Sequence, residues 1–240
     1  MWNQRMKYLI GEEKVELLTN KRVVVFGVGG VGSYACEALA RSGIGSLVLI
    51  DHDVVDVTNI NRQIPALHST VGLKKVEVMK QRILDINPIC KIDAYDCFMN
   101  KDNIEELLSG QVDFIVDAID TVTSKLDLYE YAQNHNIPII SSLGMANRMD
   151  PTKVMITRLD KTENDPLAKS VRSQARKRNL SLKVPVIFST ETPIIMEKVI
   201  NVDGKTMKEK YPVSSSPFVP SSAGLAAASY VVRELINVSE

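Results

Sequence analysis

Arg22-Val-Val-Val-Phe-Gly27-Val-Gly29-Gly30-Val-Gly32-Ser-Tyr-Ala-Cys-Glu-Ala-Leu-Ala40 is the stretch on which the fold turns. Its opening is a β-branched run of the kind that is buried on both faces of a parallel sheet. Its close places Val31, Ala35, Ala38 and Leu39 at helical spacing, and Gly43 and Gly45 stop the helix, predicted over 31–42. Between them Gly27-Val-Gly29-Gly30-Val-Gly32 matches G-x-G-x-x-G. Side chains at such positions would hold phosphate oxygens away from the N–H groups at the positive end of the helix. Gly27, Gly29, Gly30 and Gly32 are therefore candidate nucleotide contacts.

The alternation continues downstream. Residues 46–51 read as a second strand, 71–86 as a charged amphipathic helix closed by Asn87-Pro88, and 91–95 as a weaker strand. A strong strand at 113–117, a helix at 121–134 and a strand at 137–141 follow. Strands separated by helices of this length predict parallel pairing: an α/β, Rossmann-like, doubly wound and mostly parallel sheet. After Gly144 the rhythm changes. Strands are predicted at 153–158 and 184–189 and an Ala-rich helix at 223–236. Between the strands, 166–183 holds six basic residues and no acidic one. The chain thus reads as one domain, 1–240. Residues 1–145 form its nucleotide-binding half, and 146–240 a substrate-facing extension of the same sheet with a mobile basic segment at about 160–183.

Asp51 lies nineteen residues beyond Gly32, at a strand end where an acid accepts from ribose hydroxyls. Taken alone, the glycines and this acid suit a dinucleotide-binding enzyme, or a tight turn with no ligand. The stretch Asp51-His-Asp53-Val-Val-Asp-Val-Thr-Asn59-Ile-Asn61-Arg62-Gln63 adds groups that a nicotinamide site does not need. Arg62 and Lys75 bring two cations toward the phosphate loop, which suits a triphosphate undergoing phosphoryl or nucleotidyl transfer. Asp120, beyond the strand at 113–117, is placed to hold Mg²⁺ against the phosphates. Lys75 as a solvated helix charge, and Asp120 as a cap for the helix at Thr121, are the plainer alternatives.

These motifs, GxGGVGS, DxDxVxxTNxNRQ, VGxxK, INP and DAID, resemble the ThiF/MoeB/HesA superfamily of ubiquitin-activating-type adenylating enzymes. Longer phrases such as EALARSGIGSLVLID, RILDINP and DPLAKSVR are similar to the branch that dehydrates threonylcarbamoyladenosine in tRNA. The likeness runs from about Arg5 to Glu191 and thins over the tail. It implies ATP and Mg²⁺, with phosphates on Gly29 and Gly30, ribose near Asp51 and Asp53, phosphate contacts from Asn59, Arg62, Gln63 and Lys75, and Mg²⁺ on Asp120. It further implies a homodimer in which Arg5 reaches the partner's site; a plain exposed N-terminal charge is the other reading of Arg5.

The common reaction of the superfamily is carboxylate attack on the ATP α-phosphate. Carrier-protein activators often add a thiol step and a zinc site. Here the cysteines are Cys36, Cys90 and Cys97 alone, so no thioester can form in 160–200, and no CxxC pair offers zinc ligands. A substrate that carries both a carboxylate and a ureido nucleophile needs neither. The resemblance therefore implies ATP-dependent cyclisation of threonylcarbamoyladenosine beside the anticodon. The alternatives are an adenylating activator of a ubiquitin-like or sulfur-carrier C-terminus, a nonenzymatic nucleotide-binding scaffold, or, more distantly, an oxidoreductase. The tail, Ser214-Ser-Ser-Pro-Phe-Val-Pro-Ser-Ser-Ala-Gly224, has no thiol, which leaves any sulfur-relay partner unassigned.

Across 240 residues Lys+Arg and Asp+Glu both total 29, so no global basic field exists and RNA must be held by a local patch. Lys169, Arg172 and Arg176 fall on one helical face, extended by Lys177 and Arg178. They are the candidate tRNA phosphate contacts, with a solvated mobile loop as the alternative. A 45% hydrophobic content predicts an ordinary core. The odd cysteine count, with no signal peptide and no apolar run near eighteen residues, predicts a cytoplasmic protein without a membrane span.

Overall fold

The computed structural model describes residues 2–202, 205–210 and 213–237, with 198–202 and 205–210 followed as backbone alone. In chain order the elements are α1 (Gln4–Ile10), α2 (Glu12–Thr19), β1 (Arg22–Phe26), α3 (Gly32–Ser42), β2 (Ser46–Asp51), α4 (Lys75–Ile86), β3 (Lys91–Asp96), α5 (Ile104–Leu107), β4 (Phe114–Asp117), α6 (Val122–His135), β5 (Ile139–Ser142), β6 (Val154–Arg158), α7 (Pro166–Lys177), β7 (Pro185–Ser189), β8 (Glu197–Val202), β9 (Lys205–Lys210) and α8 (Phe218–Asn237). Seven strands form one sheet in the order β3-β2-β1-β4-β5-β7-β6, and β8 and β9 pair as a separate hairpin. All neighbours in the large sheet are parallel except β6 and β7. This is the α/β, Rossmann-like, doubly wound fold.

The period of two in β1 and β2 divides their side chains between two cores. Val23, Val25, Leu47 and Leu49 face α3, α4 and α8, whereas Val24, Phe26, Val48 and Ile50 face α5, α6 and α7. Both faces are covered, which explains why these strands read as unbroken apolar runs. α8 lies along α3 so closely that a Cβ on Gly224 would come within 2.3 Å of the Val31 carbonyl oxygen.

Three expectations are corrected. The helix predicted from Val71 begins only at Lys75. Gly72 turns with φ 87, and Val54 and Lys74 form a β-bridge, so long-range pairing takes the first four residues out of the helix. The last helix begins at Phe218 rather than Ala223, because Pro220 is tolerated within its first turn. The basic segment 160–183, expected to be mobile, carries α7. Asp165 caps that helix, accepting from Ala168 N at 3.1 Å, Pro166 occupies its first position, and Ala168, Val171 and Ala175 are buried in the core.

One buried polar knot holds the loop beyond β4. The Lys125 ammonium donates to Asp117 Oδ2 at 2.9 Å, to Ser141 Oγ at 3.1 Å and to the Ser142 carbonyl at 2.6 Å. Ser141 Oγ donates to the same Asp117 oxygen at 2.6 Å, and Asp117 Oδ1 accepts from Ile119 N at 3.1 Å. Both charged side chains are fully buried. Removing one partner would strand the other charge, so Lys125→Met is expected to cost about 3–5 kcal/mol in urea unfolding.

A second clasp joins α3 to α4. The Glu37 carboxylate accepts from Arg82 Nε at 2.6 Å and from Arg41 Nε at 2.8 Å. Burial pushes its pKa up, but the two guanidinium groups outweigh that and hold it below the ordinary 4.5. A carboxylate with a lowered folded-state pKa contributes stability that is present above its unfolded value and is lost as pH falls through the folded one. Glu37→Gln should therefore show a shallower loss of stability below about pH 4.5 than the unsubstituted chain, read by denaturation at stepped pH.

Candidate functional site

The strand order reverses between β1 and β4, and the loops leaving their C-terminal ends diverge there. Such a reversal opens a crevice above the sheet. In this chain the crevice is a cavity of about 790 Å³, within the range of small-molecule sites. Gly29, Arg62, Lys75 and Asp120 all line it, as do Gly27, Gly30, Asp51, Asp53, Asn59 and Gln63. Gly32 does not, and Arg5, exposed on α1, lies outside it.

The four glycines divide into two kinds. Gly27 has φ 85, and a Cβ there would come within 2.7 Å of the Ala118 carbonyl oxygen; at Gly32 it would stand 1.7 Å from the Gly27 oxygen. Those two are required by the chain's packing on itself. At Gly29 a Cβ would meet only Gln63 Nε2, at 3.7 Å, and at Gly30 the Pro220 Cβ at 3.3 Å and the Arg62 stem. At Gly29 the missing side chain leaves space on the cavity side, where a ligand can approach the backbone.

Asp51 braces this loop. Its Oδ2 accepts from Val28 N at 2.6 Å and its Oδ1 from Asp53 N at 2.8 Å. Each oxygen retains a lone pair for a hydroxyl donor. The bridge at Val54 and Lys74, with Lys75 N donating to Asp53 O at 3.1 Å, aims the Lys75 side chain inward. Only 5% of that side chain is exposed, and its ammonium meets Asp53 Oδ2 at 2.7 Å. It is not a solvated helix charge. Residues 57–59 form a 3-10 turn capped by Asp56, whose N–H donates to Asn59 Oδ1 at 3.2 Å. The Arg62 guanidinium is held by the Thr58 carbonyl at 2.9 Å and by Asn61 Oδ1 at 2.8 Å. Gln63 is buried, and its Oε1 has no hydrogen-bond partner among the described residues. A buried acceptor left open on a cavity wall suits a ligand donor.

Asp120 is exposed, and among the described residues its carboxylate meets only the Thr121 hydroxyl, at 3.5 Å. The N-cap of α6 is Thr121, not Asp120, and the one described hydrogen bond of the Asp120 carboxylate is to the Thr121 hydroxyl rather than to a helix N–H. Among the described residues the cavity walls carry five carboxylates (Asp51, Asp53, Asp56, Asp120 and Asp165) against three cations (Arg62, Lys75 and Arg148). A triphosphate would enter this field only with a cation of its own. The free carboxylate of Asp120 is the hard oxygen ligand such a cation takes.

Several lining groups escape a reading of the sequence. Arg148, buried, donates to the carbonyls of Glu191 at 3.0 Å, Asn164 at 3.2 Å and Gly144, and burial lowers its pKa. Asp165 accepts from Gly144 N at 2.9 Å. Together they fix the loop after β5 as the far wall; the Asp165-Pro166 helix start is the one signal that points there. Cys97 also lines the cavity, but burial raises its pKa, so it is no thiolate. Cys90 is pushed up to about 11 and Cys36 higher still, both by burial.

The basic face of α7 is smaller than expected. Arg172 turns inward to Thr162, meeting its carbonyl at 2.9 Å and also its hydroxyl. Arg178 pairs with Asp127 at 2.6 Å and Glu130 at 3.7 Å. Lys169, Arg176 and Lys177 remain exposed. A surface groove along α7 is lined by Lys169, Ser173, Lys177 and Arg178, and its end at Pro166 adjoins the main cavity.

The sequence profile of the ThiF family matches residues 2–233. The tRNA threonylcarbamoyladenosine dehydratase of Bacillus subtilis is 46% identical over 238 residues, covering 97% of this chain and 94% of that protein. The protein of the same name from Escherichia coli is 38% identical, covering 96% of this chain and 88% of its own length. A crystal structure of the E. coli dehydratase in complex with ATP superposes with a TM-score of 0.88 at 36% identity, covering 98% of this chain and 94% of that one. A further structure of it contains AMP.

The two kinds of glycine should separate in unfolding experiments. Gly32→Ala is expected to lose about 3 kcal/mol or more, whereas Gly29→Ala should stay within about 0.5 kcal/mol. Added ATP with Mg²⁺ is expected to raise the melting midpoint of the unsubstituted chain and to leave that of the Gly29→Ala variant unmoved.

Proposed function

The chain belongs to the ThiF family, and from that premise we propose that it is an ATP-dependent enzyme that dehydrates N6-threonylcarbamoyladenosine in tRNA beside the anticodon. The observation that carries this is the meeting of Gly29, Arg62, Lys75 and Asp120 around one cavity, in a chain that matches dehydratases over nearly its whole length. ATP lies with its phosphates over Gly29 and Gly30 and its ribose toward Asp51 and Asp53. Arg62 and Lys75 hold the phosphates, and Asn59 and Gln63 supply amides. Mg²⁺ on Asp120 would neutralise phosphate charge.

The threonyl carboxylate attacks the α-phosphorus and pyrophosphate leaves. Arg62, Lys75 and the loop N–H groups stabilise the charge that moves onto the phosphate oxygens. The ureido group of the same substrate then attacks the acyl carbon and gives up a proton, and AMP departs with the carboxylate oxygen. The net change is loss of one water at the cost of one ATP. Nucleophile and electrophile belong to one molecule, so holding them together supplies what a protein thiol does elsewhere. The protonated cysteines of this chain accord with that route.

The tRNA backbone runs along α7, held by Lys169, Arg176 and Lys177, with Arg172 and Arg178 shaping the helix from within. α1 supports the homodimer. None of its residues is buried, and Tyr8 and Leu9 are exposed beside Arg5, a surface suited to a second copy into whose cavity Arg5 would reach. No described helix is long and apolar enough to cross a membrane; an enzyme that acts on tRNA would work in the cytoplasm.

Mass spectrometry of nucleosides from threonylcarbamoyladenosine-bearing tRNA, incubated with protein and ATP, should show loss of one water. Asp120→Ala is expected to slow this about 100-fold or more. Pyrophosphate exchange driven by a carrier-protein tail, and not by modified tRNA, would replace this reading with that of a carrier activator.

A further inference from the structure

We propose that a second, apolar groove beside the ATP cavity holds the purine ring of the substrate nucleotide, unstacked from the anticodon loop. The inference rests on the dehydratase reading and adds the subsite that recognises the base. The groove, about 340 Å³, lies between the loop after β5 and the two segments that flank the β8–β9 hairpin. Met149, Ile194, Ile195, Met196 and Val213 line it, and all five are exposed, Ile195 by 59% and Met196 by 63%. Large apolar side chains gathered at one exposed place mark a surface that something covers.

The groove is built before any ligand arrives. Asn147 adopts the left-handed conformation at φ 58. Its N–H donates to the Ser214 carbonyl and its own carbonyl accepts from Ile194 N, each at 2.7 Å. Its Oδ1 accepts from Ser214 N at 2.7 Å, and Ser216 Oγ donates to the Arg148 carbonyl at 2.9 Å. One asparagine therefore clasps the segment entering the hairpin to the segment leaving it, and the walls are held at fixed spacing.

Three arguments select the occupant. The first is continuity: Asn147, Arg148, Val213 and Ser215 line both the groove and the main cavity. The second is reach. Four bonds of about 1.3–1.5 Å separate the adenine N6 from the threonyl carboxyl carbon, a span of about 5 Å, so the base must rest directly beside the cavity where the carboxylate meets ATP. The third is charge. Arg148 is the sole charged residue among the described residues lining the groove, and it is buried, whereas the cations that suit phosphates stand on α7. A flat, neutral group fits such walls; extruded bases are held between apolar side chains, and methionine sulfur makes favourable contact with aromatic rings.

The test is calorimetric titration of the full-length protein, with Mg²⁺ and a non-hydrolysable ATP analogue, by the free nucleoside N6-threonylcarbamoyladenosine and by N-carbamoylthreonine, which has the arm without the base. In the double variant Ile195→Ser/Met196→Ser, nucleoside binding should weaken about tenfold or more, while binding of N-carbamoylthreonine and of the ATP analogue stays unchanged. The pair Ile195→Leu/Met196→Leu should restore it. An undiminished nucleoside affinity, or an equal loss for both ligands, overturns the proposal. So does a dimer-to-monomer change on light scattering, which would assign the surface to a second copy. If the unsubstituted protein binds the nucleoside better than N-carbamoylthreonine but removes no water from modified tRNA, the dehydratase reading fails and the base subsite stands.

Discussion

The site depends on one close approach of backbone to backbone. Gly27 lies against the carbonyl of Ala118, and Gly32 lies over the carbonyl of Gly27. These contacts bring the loop after β1 against the loop after β4, at the place where neighbouring strands lead away in opposite directions. No other residue fits at either position, since any side chain would have to occupy the space of a peptide group. The crevice opens because the two loops touch at their roots and diverge above. The buried Asp117 and Lys125 pair holds the second loop from below, and Asp51 braces the first from the side.

Much of this arrangement was legible in the sequence because it is local. The strand, glycine loop and helix at 22–42 carry their own periodicities and stops, and the cluster at 51–63 is contiguous. The failures are places where a distant partner decided the outcome. Lys74 leaves the helix to pair with Val54, which no pattern in 71–86 reveals. Lys169, Arg172 and Arg176 do share a helical face, but Thr162 draws Arg172 inward and Asp127 claims Arg178. Arg148 is invisible for the same reason, because its guanidinium is defined by carbonyls as remote as Glu191. The short helices α1 and α2, of seven and eight residues, carry too few turns for periodicity to declare them.

The electrostatics of the cavity favour a ligand that arrives already partnered. Carboxylates outnumber cations among the described residues of its walls, and Lys75 is itself engaged by Asp53. Under the function proposed above, nucleotide and metal would enter as a unit, with Lys75 exchanging one anionic partner for another. The cost of burying that ammonium is met by Asp53 beforehand, so the side chain is held in place rather than ordered by the ligand.

The contact between α8 and α3 has a consequence for how the protein is made. The helix that follows the glycine loop is sealed by residues nearly two hundred positions later, with Gly224 pressed to the Val31 carbonyl. During synthesis the sheet and α3 leave the ribosome with this apolar flank bare, and that flank stays bare until α8 has emerged. Nascent chains of this protein should therefore be clients of chaperones that shield unfinished surfaces, and competence to bind nucleotide should come late in synthesis.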